Sequence, residues 1–417
     1  MKTEIFHLSI HRLQSSVSGG RGHNRLQDAP DAGQEVMVIE DKFILRSKVY
    51  FNNRSIHLLK QTPGTRAFIV SDSIMETLGY LQTAVDHLRE AGITSSVFTG
   101  VRPDPDIGIV SEGLKLYMES SADVLVAIGG GSAIDTAKGI LYFAWKLAGN
   151  GASAFKRPLF IAIPSTSGTG SEVTDFSVIT ADEGKVCIVD EFIAPDIAIL
   201  DSTCIQHVPR RVVADTGIDV LVHAIEAYVS SKATDFTDAL AEKAVKLIFE
   251  NLEKLYSDAK DSDARDRVQN ASCMAGMAFT NSNLGINHSL AHAFGGMFHI
   301  SHGRSNALML GAVMEYNAEL SGSAANYAAD RYARLAAVLQ LPARTKREGA
   351  FSFIQAVNRL KKNLGIEDNI RTLGIDWKEF ENALEQMAEA AMRDRCTPTN
   401  PRQPSTEDLM QIYRKCY

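Results

Sequence analysis

The chain has few cysteines and no close pair among them. Cys187, Cys204, Cys273, Cys396 and Cys416 are scattered over 417 residues, and no C-x-x-C occurs. An odd, widely spaced set argues against a disulfide framework and a thiolate zinc site, and it fits a reducing, cytoplasmic compartment. No apolar run reaches the ~18 residues of a membrane span, so none is expected. A basic excess is also missing: 43 Lys and Arg stand against 50 Asp and Glu, a net charge of −7. That balance favours solubility and argues against a nucleic-acid partner, which needs a basic face. No repeat recurs at a fixed period. No secretory signal is expected either, because no apolar core of the needed length follows a basic start.

What the sequence does contain is ordinary globular material, 45% apolar and 22% charged, long enough for two domains. Residues 18–35, SGGRGHNRLQDAPDAGQE, read as a flexible linker. Before it, Phe6, Ile10, Leu13 and Val17 fall at helical spacing and would line one face of a short amphipathic helix. A helix that short is marginal in water unless it docks. Three readings stand side by side: a locally packed terminus, a docking peptide, and an organelle presequence.

From about residue 43, short apolar runs alternate with amphipathic stretches. Strands are expected at 67–71, 95–100, 123–129, 158–164 and 196–201, with helices over 74–92, 107–120 and 132–149. Strand alternating with helix implies βαβ units and a parallel sheet. Beyond about residue 205 the strand signal stops, and long helical patterns such as 237–256 and 376–394 take over. The expected organisation is an extension over 1–36, an α/β dinucleotide-binding domain over 37–205, and an all-helical domain over 206–417.

Two glycine-rich turns carry the cofactor argument. In 126-VAIGGGSAIDTAK-138 an apolar strand ends in Gly129, Gly130 and Gly131, and Ser132 is placed to cap the following helix. Glycines let backbone approach a ligand closely, and a helix N-terminus suits a phosphate. The turn is neither G-x-G-x-x-G nor a P-loop. The second turn, 163-IPSTSGTGSEVTD-175, offers the hydroxyls of Thr166 and Ser171 among others, beside Gly168 and Gly170. Two such loops at the carboxyl ends of neighbouring parallel strands lie where open α/β sheets bind nucleotides. Asp72, just after the first expected strand, is placed to accept hydrogen bonds from a ribose and to repel a 2′-phosphate, which favours NAD over NADP. Its structural alternative is a helix N-cap.

The stretch 285-GINHSLAHAFGGMFHISHG-303 crowds His288, His292, His299 and His302 among small apolar residues. His288 and His292 are four apart and share a helix face. Upstream, 215-DTGIDVLVHAIEAY-228 sets Asp219 and His223 four apart in the same way. Together these pairs supply one carboxylate and up to three imidazoles, a donor set that suits Fe²⁺ or Zn²⁺.

The segments 129-GGGSAIDTAK-138, 163-IPSTSGTGSE-172, 195-PDIAILD-201, 217-GIDVLVHAIEAY-228, 287-NHSLAHAFGGMFHISHG-303 and 399-TNPRQP-404 resemble the iron-containing (group III) alcohol dehydrogenase family from about residue 43 onward. Within that family the chain looks similar to the 1-propanol dehydrogenases of bacterial microcompartments. The resemblance implies a dehydroquinate-synthase-like fold, a Rossmann-type α/β domain plus an all-α domain with a cleft between them. It implies that Asp219, His223, His288 and His302 ligate the metal, with His292 unligated beside the substrate as a proton relay. Asp72, Gly129, Gly130, Gly131, Ser132, Asp135, Lys138, Thr166 and Ser171 match cofactor-contacting positions. The implied partners are NAD(H), Fe²⁺ or Zn²⁺, a short-chain aldehyde or alcohol, and further copies of the chain. Residues 1–20 would meet microcompartment shell or cargo proteins. The chain departs from the family pattern at Asp104, where an amide is usual, and at Ser301, where proline is usual. His299 is an extra histidine. Rival expectations are a polyol or polyol-phosphate dehydrogenase or a lyase on the same fold, and a catalytically silent, metal-stabilised assembly protein.

Overall fold

A computed structural model describes residues 42–148, 155–181, 184–320, 325–367 and 369–417. Eight strands occur among the described residues: β1 (Lys48–Phe51), β2 (Arg66–Asp72), β3 (Thr94–Val101), β4 (Val124–Gly129), β5 (Leu159–Pro164), β6 (Phe176–Ala181), β7 (Gly184–Val189) and β8 (Ile197–Leu200). Six of them form one parallel sheet in the order β1-β8-β5-β4-β2-β3. The central strands are continuous apolar runs because both of their faces are covered. Alternate residues go to opposite faces: Leu125 and Ala127 of β4 join Phe68, Val70, Phe160 and Ala162 in one core layer. Val124, Val126 and Ile128 join Ala67, Ile69, Ile161 and Ile163 in the other.

Helices α1 (Ser73–Thr77), α2 (Tyr80–Glu90), α3 (Ile107–Ser120) and α4 (Gly131–Leu147) accompany the sheet. β2 pairs with β3 on one side, and the chain then returns to lay β4 on the other. The carboxyl ends of β2 and β4 therefore flank a topological switch point, the place where an open parallel sheet offers a crevice.

Nine further helices follow among the described residues: α5 (Arg210–Val229), α6 (Asp235–Ser257), α7 (Ser262–Ser282), α8 (Ile286–Phe298), α9 (His302–Ala318), α10 (Tyr327–Val338), α11 (Lys346–Asn363), α12 (Trp377–Arg393) and α13 (Thr406–Cys416). From Ala214 to Val229 nearly every residue of α5 is buried. An all-round buried helix lies at the centre of its bundle, so the polar side chains α5 carries are forced into the interior. One helical core gathers around α5, α6 and α7. A second packs α8 and α9 against α12 and α13.

The α/β-plus-helical architecture agrees with the expectation, and three local features differ from it. The helix expected over 74–92 breaks into α1 and α2 at Gly79, whose φ of 81° is left-handed. β1 is only four residues long and mostly exposed, and its apolar stretch of three residues is too short to betray it. β6 and β7 form an antiparallel hairpin packed on α4. β6 mixes polar with apolar residues and β7 carries only the four-residue apolar stretch 186–189, so neither matches the longer apolar runs of the central strands. The linker and amphipathic helix expected over 1–36 lie outside the described residues.

Candidate metal centre and cofactor crevice

The crevice is built by two turns pressed together. Gly129 has φ 154°, and a Cβ on it would lie 2.6 Å from the Ala133 Cβ and 3.0 Å from Oδ2 of Asp72. A Cβ on Gly131 would lie 2.7 Å from the Thr169 methyl, and one on Gly130 would be 3.5 Å from that of Thr166. Substitution at Gly129 or Gly131 would therefore push the β4 turn away from its neighbours. Ser132, expected as the cap of α4, is its second residue. The N-cap is Gly130, with no side chain to satisfy the first turn. A helix start left uncapped by side chains keeps backbone donors for an anion. Asp72 does cap α1, with Oδ1 accepting from the N–H groups of Ile74 and Met75 at 2.9 and 3.0 Å.

Lys138 lies beneath the turns, fully buried. Its ammonium donates to Ser171 Oγ at 2.8 Å, Thr174 Oγ1 at 3.0 Å and the Phe176 carbonyl at 2.7 Å, which uses all three protons. Ser171 in turn donates to Asp135 Oδ1 at 2.6 Å, and Asp135 Oδ2 accepts from the Val178 N–H at 3.1 Å. Burial pulls the Lys138 pKa down to about 8, against the pull of Asp135. This trio braces the second turn against α4 and the hairpin. Asp104 also meets the hairpin, through an ion pair to Lys185 at 2.6 Å, so the charge it adds is partnered.

The same second turn reaches the helices. A Cβ on Gly168 would lie 2.8 Å from the Thr216 Cβ on α5, and one on Gly170 would lie 2.7 Å from the Gly276 Cα on α7. Three residues beyond Thr216 comes Asp219. Asp219 and His223 from α5, His288 from α8 and His302 at the start of α9 offer ligand atoms that all lie within 4.8 Å of one another. Oδ1 of Asp219 is 3.9 Å from His288 Nε2 and 3.5 Å from His302 Nε2. Asp219, His223 and His288 are buried; His302 is half-buried.

These residues fit a divalent ion. His288 Nε2 and His223 Nδ1 are buried without a hydrogen-bond partner. Burial pushes the Asp219 carboxyl up to about 8, although Asn306 donates to it at 2.7 Å. Burial also drives the His223 and His288 pKa values far below the usual imidazole range, which keeps them neutral. A desolvated carboxylate beside neutral imidazoles with unsatisfied nitrogens is the donor chemistry of a divalent-cation site.

His292 stays outside this group. Its ring stacks on that of His302 at 5.3 Å, and its Nδ1 meets Asp394 Oδ2 at 2.8 Å. His299 ends α8 with φ 54° and is exposed. Arg304 is spent on Asp215, 2.6 Å away, and on Glu367. Sequence reasoning missed Glu226, Asp394 and Asn306. Glu226 carried a signal, since it follows Asp219 and His223 at the next turn of the same face. Asp394 carried none, because 102 residues separate it from His292.

The family model for the C-terminal part of Fe-containing alcohol dehydrogenases matches residues 213–417, and that for iron-containing alcohol dehydrogenase matches residues 46–202. The chain belongs to the iron-containing alcohol dehydrogenase family. It is 38% identical to the NADPH-dependent butanol dehydrogenase of Clostridium saccharobutylicum over 90% of this chain and 98% of that one. It is 37% identical to the 1-propanol dehydrogenase PduQ of Citrobacter freundii, over 89% and 98%. The aldehyde-alcohol dehydrogenase of Streptococcus pneumoniae serotype 2 is 42% identical over 89% of this chain, which spans only 45% of that relative's length. Among solved structures, the iron-containing alcohol dehydrogenase of Thermococcus thioreducens superimposes with a TM-score of 0.81 at 35% identity, covering 90% of this chain and 99% of that one. The sulfoacetaldehyde reductase of Bifidobacterium kashiwanohense in complex with NAD⁺ gives 0.78 at 25% identity, covering 90% and 98%. No helix among the described residues is long and apolar enough to cross a membrane.

Proposed function

We propose that this member of the family is an NAD(H)-linked, metal-dependent reductase of short-chain aldehydes, working on propanal and 1-propanol. The observation that carries the reading is the convergence of Asp219, His223, His288 and His302 beside a turn that also walls the cofactor crevice. These four residues would hold Fe²⁺, with Zn²⁺ equally suited by donor type. A bound ion supplies Lewis-acid polarisation of the substrate oxygen, and the nicotinamide supplies the hydride.

The chain's own residues do the rest. Gly129, Gly130 and Gly131 admit the cofactor pyrophosphate to the start of α4, with Ser132 and Thr166 at the rim. Asp135, Lys138 and Ser171 hold the second turn in place from below, so they act on the cofactor through that turn. Asp72 keeps one carboxylate oxygen over the crevice, where it accepts from a ribose hydroxyl and repels a 2′-phosphate. His292, oriented by Asp394, passes the proton between substrate oxygen and solvent. A phosphorylated or carboxylated substrate is disfavoured, because Arg304, the basic residue of the histidine-rich segment, is neutralised by two carboxylates.

Propanal resembles the substrate named for PduQ, and residues 1–20 carry the pattern of an encapsulation helix. The reading therefore extends to recycling NADH to NAD⁺ inside a microcompartment as a dimer or larger assembly. The decisive test is propanal reduction by metal-loaded protein, chelated protein and His288→Ala, each with NADH and with NADPH. Activity should fall by about a thousandfold or more on chelation or substitution, and NADH should outperform NADPH. Near-normal turnover by folded, metal-free protein would refute the metal role; NADPH preference would refute the Asp72 argument.

A further inference from the structure

The helices that carry the donor set are linked by a buried acid outside it. Asp219, His223 and Glu226 follow one another at i, i+4 and i+7 on one face of α5. Glu226 is 3% exposed. Its Oε1 accepts from the Asn287 N–H at 2.7 Å, and its Oε2 lies 2.5 Å from His288 Nδ1. α8 begins just there, at Ile286, and its N-cap Gly285 has no side chain to satisfy the first turn. Glu226 therefore brings a carboxylate from α5 to the positive end of α8. Gly285 leaves it room: a Cβ there would come within 2.9 Å of Oε1.

The ring contact fixes a tautomer. Once Glu226 is ionised, as cation binding favours, it only accepts, and His288 Nδ1 then carries the proton. Nε2 then keeps its lone pair, and Nε2 is the atom that is buried without a partner on the Asp219 side. A carboxylate behind a ligating imidazole also raises its basicity.

We propose that Glu226 is a positioning residue of the metal centre. It locks the first turn of α8 against α5 and holds His288 as the Nδ1–H tautomer, with Nε2 offered to a divalent cation. This rests on the donor-set reading above. Both oxygens of Glu226 accept from a donor, so glutamine satisfies only one of the two. In Glu226→Gln the amide nitrogen faces either the Asn287 N–H or the ring, and either outcome loosens His288.

The experiment uses the full chain, stripped by chelator and titrated with Co²⁺ against a chelating dye, with the visible Co²⁺ spectrum recorded. Wild type should take up one ion per chain and His288→Ala should lose that uptake. Glu226→Gln should bind roughly 10–100-fold more weakly with an altered Co²⁺ band, a change that a mere loss of packing would not produce. Gly285→Ala crowds the same carboxylate without removing it and should weaken binding in the same direction, so it decides the matter if Glu226→Gln does not fold. Failure of wild type to bind Co²⁺, or equal binding by His288→Ala, removes the donor-set reading itself. Wild-type binding matched within about twofold by Glu226→Gln or, where that fails to fold, by Gly285→Ala, with an unchanged spectrum, overturns the role of Glu226 alone.

Discussion

Asp394 shows how one residue sets the chemistry available to another. Burial works against its charge, yet His292 and the Cys396 N–H hold its carboxyl well below the usual range. A carboxylate that stays ionised fixes the proton of His292 on Nδ1, which in the proposed relay leaves Nε2 to exchange a proton with substrate. Asparagine offers either a donor or an acceptor at that place, and the ring is no longer held in one tautomer. Asp394→Asn should therefore lower kcat about 10–100-fold while KM changes by less than about threefold, because no substrate contact is removed. Metal content should stay at the wild-type level, since His292 lies outside the donor set. Unchanged kcat in the metal-loaded variant would remove the positioning role. Lys138 and Arg304 illustrate the opposite use of a charge: each is surrounded by its own acceptors and serves packing.

At the level of elements, most of the framework was legible because periodicity reports burial. The central strands are apolar runs, and α5 and α8 display their metal-facing residues at helical spacing. The hairpin β6–β7 and the short edge strand β1 were not recognised, since their apolar stretches are short or interrupted by polar residues. The cap of α4 was misplaced by two residues because Ser132 is a good cap by type, while the actual cap is Gly130. Asp394 was missed for a different reason: its partner lies 102 residues away, and pairing across helices leaves no trace in local spacing, whereas Glu226 did share the helical spacing of Asp219 and His223 and was overlooked. The amphipathic pattern of residues 4–17 is the one element whose role lies beyond the described chain. A helix of that length is marginal in water unless it docks, which is the expectation that a deletion tests. Removing residues 1–36 should leave kcat and KM within about twofold of the full chain, because that stretch lies outside both family matches. The same deletion should abolish co-purification with microcompartment shells; undiminished encapsulation would reject the docking role.

Across the whole molecule, the metal centre couples stability to pH. Burial raises both Asp219 and Glu226 to about 8, so without an ion the folded protein keeps protons that the unfolded chain releases near pH 4. Between those values the folded state binds more protons, and stability falls as pH rises. The buried histidines act in the other direction. His223 and His288 are depressed, so the unfolded chain binds more protons up to about pH 6.5, and their contribution rises until then. Lys138, depressed to about 8, adds stability only as pH climbs from there toward the ordinary lysine value. Between about pH 7 and 8 the two carboxylates give the largest change, with buried Glu172, raised to about 7, adding to the loss and Lys138 beginning to oppose it. Metal-free protein should lose Tm across that interval. At fixed free Zn²⁺ the gain in Tm on loading should grow over the same interval, because protons and the ion compete for Asp219, and Glu226 must be ionised to orient His288. A gain that stays flat or shrinks from pH 7 to 8 would mean that these carboxylates are not the groups the ion displaces protons from. The donor set would then have to be sought elsewhere in the chain.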